Sequence, residues 1–583
     1  MCGIFFAVMG RAKRTSAVHV VTTTRRVEDR VYHSHLLCQS YREGGKVKKR
    51  TVGNISHLPD PIIAAVRAML AGKELVEVDA LTTERTLPHG HVEAVLAMMR
   101  RLQIAALLDR VPSKQRDLVL AMIAQRIITP GSKLFMTRAL QQSTLAEELG
   151  IGTPGPDELY DALDWLIERQ DAIERRLAKR HLPQGGTALY DLSSSYLEGR
   201  CCPLAMRGYS RDERRGSLQI VYGLMCDRDG RPVAVEVFQG NTVDAQTVRD
   251  QVTKLKDRFA LEHAVFVADR GMVTRANLEA LGSAGIDWIT ALKAPQVQKL
   301  AGQGALPLSL FEEQNLAEIS VAEYPRERLV VCRNPLVAEE RRRKREELLA
   351  ATEGQLAPIA VRVAAGTLRG KAEIGLAVGA VINRFKMKKH FTLEIDDERL
   401  AFMRKSEQIA VEAALDGIYI LRTTLEAQAC PSAEVVRSYK QLARVERAFR
   451  TLKSVDLEIR PIHHYREHRV RAHVLLAMLA YYVEWHLREA WAELLFKDEQ
   501  PPTPADPVSK AQRSEQAQCK ASRQRTEDGQ VVHSFKSLLD ELALRARNTT
   551  RIADTEATFT QFTKPTPLQE RALQLVAQLP LAS

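Results

Sequence analysis

Three segments far apart in the chain each put a carboxylate where local structure would set its direction: TALYDLSSSYLEG around Asp191, AVFVADRGM around Asp269 and YKQLARVERAFRTLK around Glu446. Two strand aspartates and one helix glutamate offer the oxygen donors that hard divalent cations such as Mg²⁺ prefer. A pair of such ions about 3.5–4 Å apart stabilises both the attacking and the leaving oxygen of a phosphoryl displacement. Asp269 closes the apolar run 264–268 and precedes Arg270-Gly271, as at the C-terminal edge of a buried strand, where open sheets carry their sites. Asp191 lies in an alternating strand in which Leu189, Asp191, Ser193 and Ser195 share a face, so its neighbours there are small and polar. Tyr439, Glu446 and Lys453 are spaced seven and seven residues apart. Seven positions return to within about 20° on a regular helix, which predicts one face bearing a hydroxyl, a carboxylate and an ammonium, suited to a metal ion and a phosphate. Taken singly, a strand-end aspartate is more often a turn or cap residue, and Glu446 among Arg444, Arg447 and Arg450 reads as a solvated ion-pair face. In combination, and with the motifs around them, they read as a site.

The elements that must position these residues follow from periodicity. Between 186 and 294, the segments ALYDLSS, LQIVYGLMC, PVAVEVF, AVFVAD and DWITALK read as strands, with helical pattern in AQTVRDQVTKLKDRF and TRANLEALGSAG. Three successive strands and then helix–strand alternation predict a mixed sheet covered by helices. Residues 295–415 interrupt it with a charged helix and strand-like pieces, an inserted subdomain. Residues 416–495 resume the core with the strand GIYILRTTL, the Glu446 helix and the apolar helix VRAHVLLAMLAYYVEWHL. Residues 1–75 read as a small β module with a basic edge, broken at Gly44-Gly45, and 76–185 as helical and a candidate DNA-binding domain. Residues 496–583 read as a polar, Pro-rich mobile linker before a short helical segment. The fold class expected is α+β, a mixed-sheet core preceded by a β module and a helical domain.

Composition narrows the partners. The 583 residues exceed what one hydrophobic core supports. Lys and Arg number 84 against 72 Asp and Glu, a formal charge of +12, which favours a polyanion. The eight cysteines form no C-x-x-C pair and no zinc-spaced cluster with histidine, so neither a disulfide framework nor structural zinc is expected. A reducing cytoplasm fits. The apolar stretch 4–9 is too short for a signal core, and no run of 18 apolar residues occurs, so neither export nor a membrane is expected.

Further motifs surround the carboxylates: YDLSSSYLEG, GNTVDAQTV at 240–248, VADRGMVTRANL with Arg270, Gly271, Met272 and Asn277, the Tyr439/Glu446/Lys453 helix, and RPIHHYREHRVRAHVLLAMLAYY behind it. Together, from about residue 25 to 490, they resemble the DDE-type transposases of bacterial insertion sequences, in the branch whose RNase H-like core is interrupted by a β-rich insertion before the glutamate. One position departs from the family's Tyr, Arg, Glu, Lys signature: Leu442 stands where the arginine would be, with Arg444 or Arg450 as partial substitutes. The resemblance implies metal-dependent cleavage at the inverted-repeat ends of the protein's own mobile element and strand transfer into target DNA. Asp191, Asp269 and Glu446 would hold two Mg²⁺ ions, with Mn²⁺ able to substitute, and no covalent protein–DNA link would form. Tyr439, Lys453, Arg270 and Arg450 would contact DNA, and the enzyme would act as a homodimer on DNA in the bacterial cytoplasm.

Two rivals belong to other classes. One is a transposase-derived DNA-binding protein without catalysis, against which the three intact carboxylate contexts stand. The other is an amidotransferase with an N-terminal cysteine, suggested by MCGIFFAVMG, whose Cys2 thiol the freed α-amine would activate. That family's later glutamine-binding motifs are not found, so the first residues read instead as an extended or misassigned start.

Overall fold

The computed structural model describes residues 18–27, 30–73, 80–212, 214, 216–306, 311, 315–526, 528–553 and 555–579. Cys2, on which the amidotransferase reading turned, lies outside the described residues. The chain forms two units, one of residues 1–90 and 542–566, the other of 91–541 and 567–583.

In the first unit, β1 (Val18–Val27), β2 (Arg30–Glu43) and β3 (Lys46–Asn54) make an antiparallel meander. Gly44 and Gly45 join β2 to β3 with φ of +56° and +79°, a left-handed pair that glycine adopts without a Cβ penalty, so the break in the sequence pattern is a tight hairpin. The strand β3, KVKKRTVGN, is exposed along nearly its whole length and forms the expected basic edge. A second sheet of this unit pairs β4 (Leu81–Pro88) with the strand Ala546–Ile552, which pairs in turn with Thr558–Phe562. The expected helical segment near the end of the chain is present as Phe535–Ala543 and Pro567–Gln578, but two strands that were not expected lie between them. Their partner is 462 residues away at the Thr86–Asn548 hydrogen bond, beyond the reach of any local pattern.

The second unit is built on an eight-stranded sheet. Its strands are β5 (Thr187–Tyr196), β6 (Gln219–Cys226), β7 (Pro232–Gln239), β8 (Val265–Ala268), β9 (Asp287–Ala291), β10 (Leu316–Ile319), β11 (Arg328–Arg333) and, after the hairpin of β12 (Phe391–Ile395) and β13 (Leu400–Arg404), β14 (Ile418–Thr423). The order is β10-β11-β14-β9-β8-β5-β6-β7. Strands β5, β6 and β7 are an antiparallel meander, β8 and β9 add in parallel beside β5, and β14, β11 and β10 extend the sheet antiparallel. All five strands expected between 186 and 294 are present.

The helices that matter here are α1 (Lys114–Ile128), α2 (Pro156–Ile167), α3 (Gln170–His181), α4 (Asp244–Thr253), α5 (Arg275–Ser283), α6 (Pro335–Ala364), α7 (Lys371–Phe385), α8 (Ser432–Lys440), α9 (Leu442–Arg450) and α10 (Glu467–Ala490). Helix α10, buried continuously over residues 472–484, packs against α1, α2 and β7. Of the region 76–185, expected as a separate domain, residues 91–185 therefore belong to the same unit as the sheet. The reason is burial: residues 118–128 of α1 are all buried, and a helix buried on every side needs cover that α2 and α10 supply.

Two further expectations change. The insertion is mainly helical rather than β-rich: α6 and α7 share a core of Leu349, Leu356, Ile374, Val378 and Ile382 that the β12–β13 hairpin caps, while β10 and β11 join the main sheet. EERRRKREELLAA is rich in strong helix formers and continues α6 through 30 residues. The stretch expected to be a mobile linker is bound at its centre. Lys440 Nζ donates to the carbonyls of Pro507, Val508 and Ser509 at 2.6, 2.9 and 2.7 Å, and Val508 is fully buried. The described cysteines are all free, and among the described residues no single helix is long and apolar enough to cross a membrane.

Candidate active site

Strands β5 and β8 run parallel with Tyr190 opposite Ala268, where β8 ends, so Asp191 and Asp269 follow at the same level of neighbouring strands. The chain turns at once after β8, Met272 N–H donating to the Asp269 carbonyl at 3.1 Å. On β5 the Asp191 face also carries Ser193, whose partner Tyr222 on β6 meets Phe449 of α9 edge-on at 5.6 Å. Helix α9 thus lies over this face, with Leu442, Val445, Ala448 and Phe449 buried and Glu446 on its exposed flank. On the opposite face, a Cβ at Gly223 would collide with the ring of Tyr190, so a glycine in mid-strand makes room for a buried tyrosine.

Burial pushes the Asp191 carboxyl up to about 7, and the charges of Asp269 and Glu446 push the same way, against the Leu192 N–H hydrogen bond at 2.8 Å and the charge of Arg211. The three carboxylates therefore share one electrostatic neighbourhood. They are not drawn into ligating contact, for among the described residues no three His, Cys, Asp or Glu side chains are gathered closely enough to hold a metal ion. The donor chemistry nonetheless suits a divalent cation: all three groups are oxygen donors, and the most buried one is disfavoured as an anion by its burial and then by the other two.

Tyr439 Oη donates to Asp269 Oδ1 at 3.1 Å, and burial together with the Asp269 charge raises the phenol's pKa, keeping it a donor. Arg270 lies beside Tyr439; both Arg270 and Arg450 are exposed and, among the described residues, make no ion pair or side-chain hydrogen bond. The expected single helical face is broken twice. Gln441 separates α8 from α9, its N–H shared between the Arg437 and Ser438 carbonyls, and residues 451–455 form a π turn. A π turn takes more residues per turn than the 3.6 on which the seven-residue spacing relied, so Lys453 rotates away from the Glu446 flank. Its Nζ is bound to Asp212 Oδ1 at 2.7 Å, and burial draws its pKa below the ordinary lysine value even so. Leu442 is buried, and Arg444 is directed to the β6–β7 turn, donating to the Arg228 carbonyl at 2.7 Å and to Asp229 at 3.1 Å.

Sequence reasoning missed Arg211, Asp212, Asp244 and Arg460 beside this site. The GNTVDAQTV motif held the usable signal. Its Gly240 has no room for a Cβ against the backbone of Gln219 and Met206, and its Asp244 begins α4 and pairs with Arg211. Asn277 Nδ2 donates to the carbonyls of Ala245 at 2.7 Å and Met272 at 2.9 Å, tying that motif to the turn after Asp269. Arg211 and Asp212 lie in GYSRDERRG, whose mixed charges look like ordinary loop composition.

Two family models match the chain: a transposase DDE domain over residues 200–483 and the N-terminal domain of IS1634 family transposases over residues 20–79. The first covers Asp269, Tyr439, Glu446 and Lys453, with Asp191 just upstream. No match to a curated protein sequence was found. Among solved structures, a piggyBac transposase synaptic complex with hairpin DNA aligns at 9% identity and a TM-score of 0.34, over 84% of this chain and 80% of that one, a likeness too loose to bear on fold or chemistry.

Proposed function

Because this chain is a DNA transposase of the insertion-sequence DDE class, we propose that Asp191, Asp269 and Glu446 are its catalytic carboxylates, cutting at the ends of its own element and joining them to target DNA. The observation that carries this reading is geometric: Asp191 and Asp269 follow the paired residues Tyr190 and Ala268 on neighbouring parallel strands, and the helix that carries Glu446 lies over the same face. The antiparallel meander β5–β7 followed by parallel β8 and β9, with the first aspartate on β5 and the second just after β8, supports taking the sheet as an RNase H-like core.

Divalent metal use is general in this class; here the three carboxylates would hold two Mg²⁺ ions, with Mn²⁺ able to replace them. When bound, such ions neutralise charge on the attacking and leaving oxygens. In each step an oxygen nucleophile, water in cleavage and a DNA 3′-hydroxyl in joining, bonds to phosphorus while the bond from phosphorus to the departing 3′ oxygen breaks. The nucleophile's proton passes to solvent, and the departing oxygen is protonated from it. Tyr439 fixes Asp269 through its hydroxyl, while Arg270 and Arg450, both exposed, are placed to meet DNA phosphates. Lys453, bound to Asp212, would reach a phosphate only by exchanging that partner. The basic β3 edge supplies a further phosphate-binding surface. The active form would be a homodimer on DNA, in the cytoplasm.

A strand-transfer assay with Mg²⁺ and element-end DNA tests the reading. Asp269→Ala is expected to lose cleavage while binding element ends like the parent, with log K falling linearly against log salt in both. Strand transfer by Asp269→Ala would refute the assignment. Activity in the parent also separates an enzyme from a DNA-binding relic.

A further inference from the structure

We propose that Arg211 forms a phosphate-binding subsite beside the carboxylates, held ready by Asp244, and that it contacts the phosphate undergoing transfer. This rests on the carboxylate reading above. Because β8 ends at Ala268, the C-terminal half of β5 has no strand beside it on that side. Residues 211 and 212 occupy part of the gap, and Ile462 N–H meets the Tyr196 carbonyl at its far end at 3.3 Å. Arg211 N–H donates to Ser194 Oγ at 2.9 Å, and Tyr196 N–H donates to Asp212 Oδ2 at 3.2 Å. Asp212, its side chain 1% exposed, also receives Lys453 Nζ at 2.7 Å and Arg460 Nη1 at 2.6 Å. The backbone at Arg211 is thereby anchored from both sides.

The guanidinium is anchored less firmly. It pairs with Asp244, which is 34% exposed and lies against Gly271: Asp244 Oδ2 would be 3.7 Å from a Cβ there. Gly271 stands two residues after Asp269, so the Arg211–Asp244 pair sits against the very turn that carries the second carboxylate. Of the three cations gathered here, Lys453 and Arg460 hold a buried partner, whereas Arg211 holds one that water reaches. A solvent-reached ion pair contributes little, so a phosphodiester can take the guanidinium, whose planar fork matches two phosphate oxygens. The first turn of helix α9 offers no cation for this place, since Leu442 is buried and Arg444 serves the β6–β7 turn. A cation fixed at the non-bridging oxygens stabilises the charge of phosphoryl transfer without rearranging during the step.

The test uses the full chain with Mg²⁺ and element-end DNA carrying one Rp or Sp phosphorothioate at the cleaved linkage. Arg211→Ala should slow cleavage about 10²-fold, as removal of one transition-state donor does. End binding should stay within about threefold, and Arg211→Lys should regain part of the rate. The rate penalty for sulfur at one diastereomeric position should shrink in Arg211→Ala, a change that a merely structural role would not produce. Should Arg211→Ala fold poorly, Arg211→Lys alone should still alter that penalty. Cleavage by Arg211→Ala within about threefold of the parent, or slowed cleavage with both sulfur penalties unchanged, overturns the subsite. If Asp269→Ala also retains strand transfer, the carboxylate reading has failed, a result distinct from failure at Arg211.

Discussion

Asp191→Asn should lower cleavage and strand transfer by about 10²–10³-fold or more, yet make the metal-free protein more resistant to urea at pH 8. The stability half of this expectation follows from linkage. The Asp191 carboxyl is raised to about 7 in the folded chain by burial first and then by Asp269 and Glu446, while an unfolded aspartate ionises near its ordinary value of 3.8. Between those values the folded state holds a proton that the unfolded state has lost, so stability falls as pH rises from about 4 to 7 and the full cost is present above 7. Asparagine has the same shape, can still accept the Leu192 N–H, and carries no charge. A gain on the order of 1–3 kcal/mol at pH 8, shrinking towards pH 5, is expected from urea midpoints measured in EDTA. Added Mg²⁺ should then stabilise the parent and not the variant. A variant less stable than the parent at pH 8 would mean that the carboxylate is well accommodated as an anion, and that the other two do not press on it.

Asp212→Ala should destabilise the second unit by about 3–5 kcal/mol, the range for removing one partner of a buried ion pair. Its carboxylate accepts from Lys453, Arg460 and the Tyr196 N–H, and Lys453 is itself only 11% exposed. Removing the acid leaves a buried ammonium and a backbone donor unsatisfied. The double variant Asp212→Ala/Lys453→Met should recover part of the loss, since the stranded cation is then gone. Urea denaturation of both variants decides it: a loss under about 1 kcal/mol for Asp212→Ala would show that the site is wet and that Lys453 is free to leave for DNA.

The strands β5 to β9 and the three carboxylate contexts were legible in the sequence because they rest on short-range regularities. A period of two in the strands, an aspartate closing an apolar run, and a glutamate in a helical segment each fit within a dozen residues. The basic hairpin at Gly44-Gly45 was legible for the same reason, since backbone stereochemistry at a positive φ is a local demand. By itself the sequence thus determined which segments of the core form strands and helices and which of them carry the acids. Tertiary structure alone decided the rest. The π turn that swings Lys453 to Asp212, the Arg211–Asp212 segment occupying part of the gap beyond β8, the burial of α1 by α10, and the strand Ala546–Ile552 pairing with β4 all join partners separated by tens to hundreds of residues. Such pairings leave no periodic trace, because the free energy that selects them comes from desolvating charges and apolar faces against surfaces that exist only once the chain has folded.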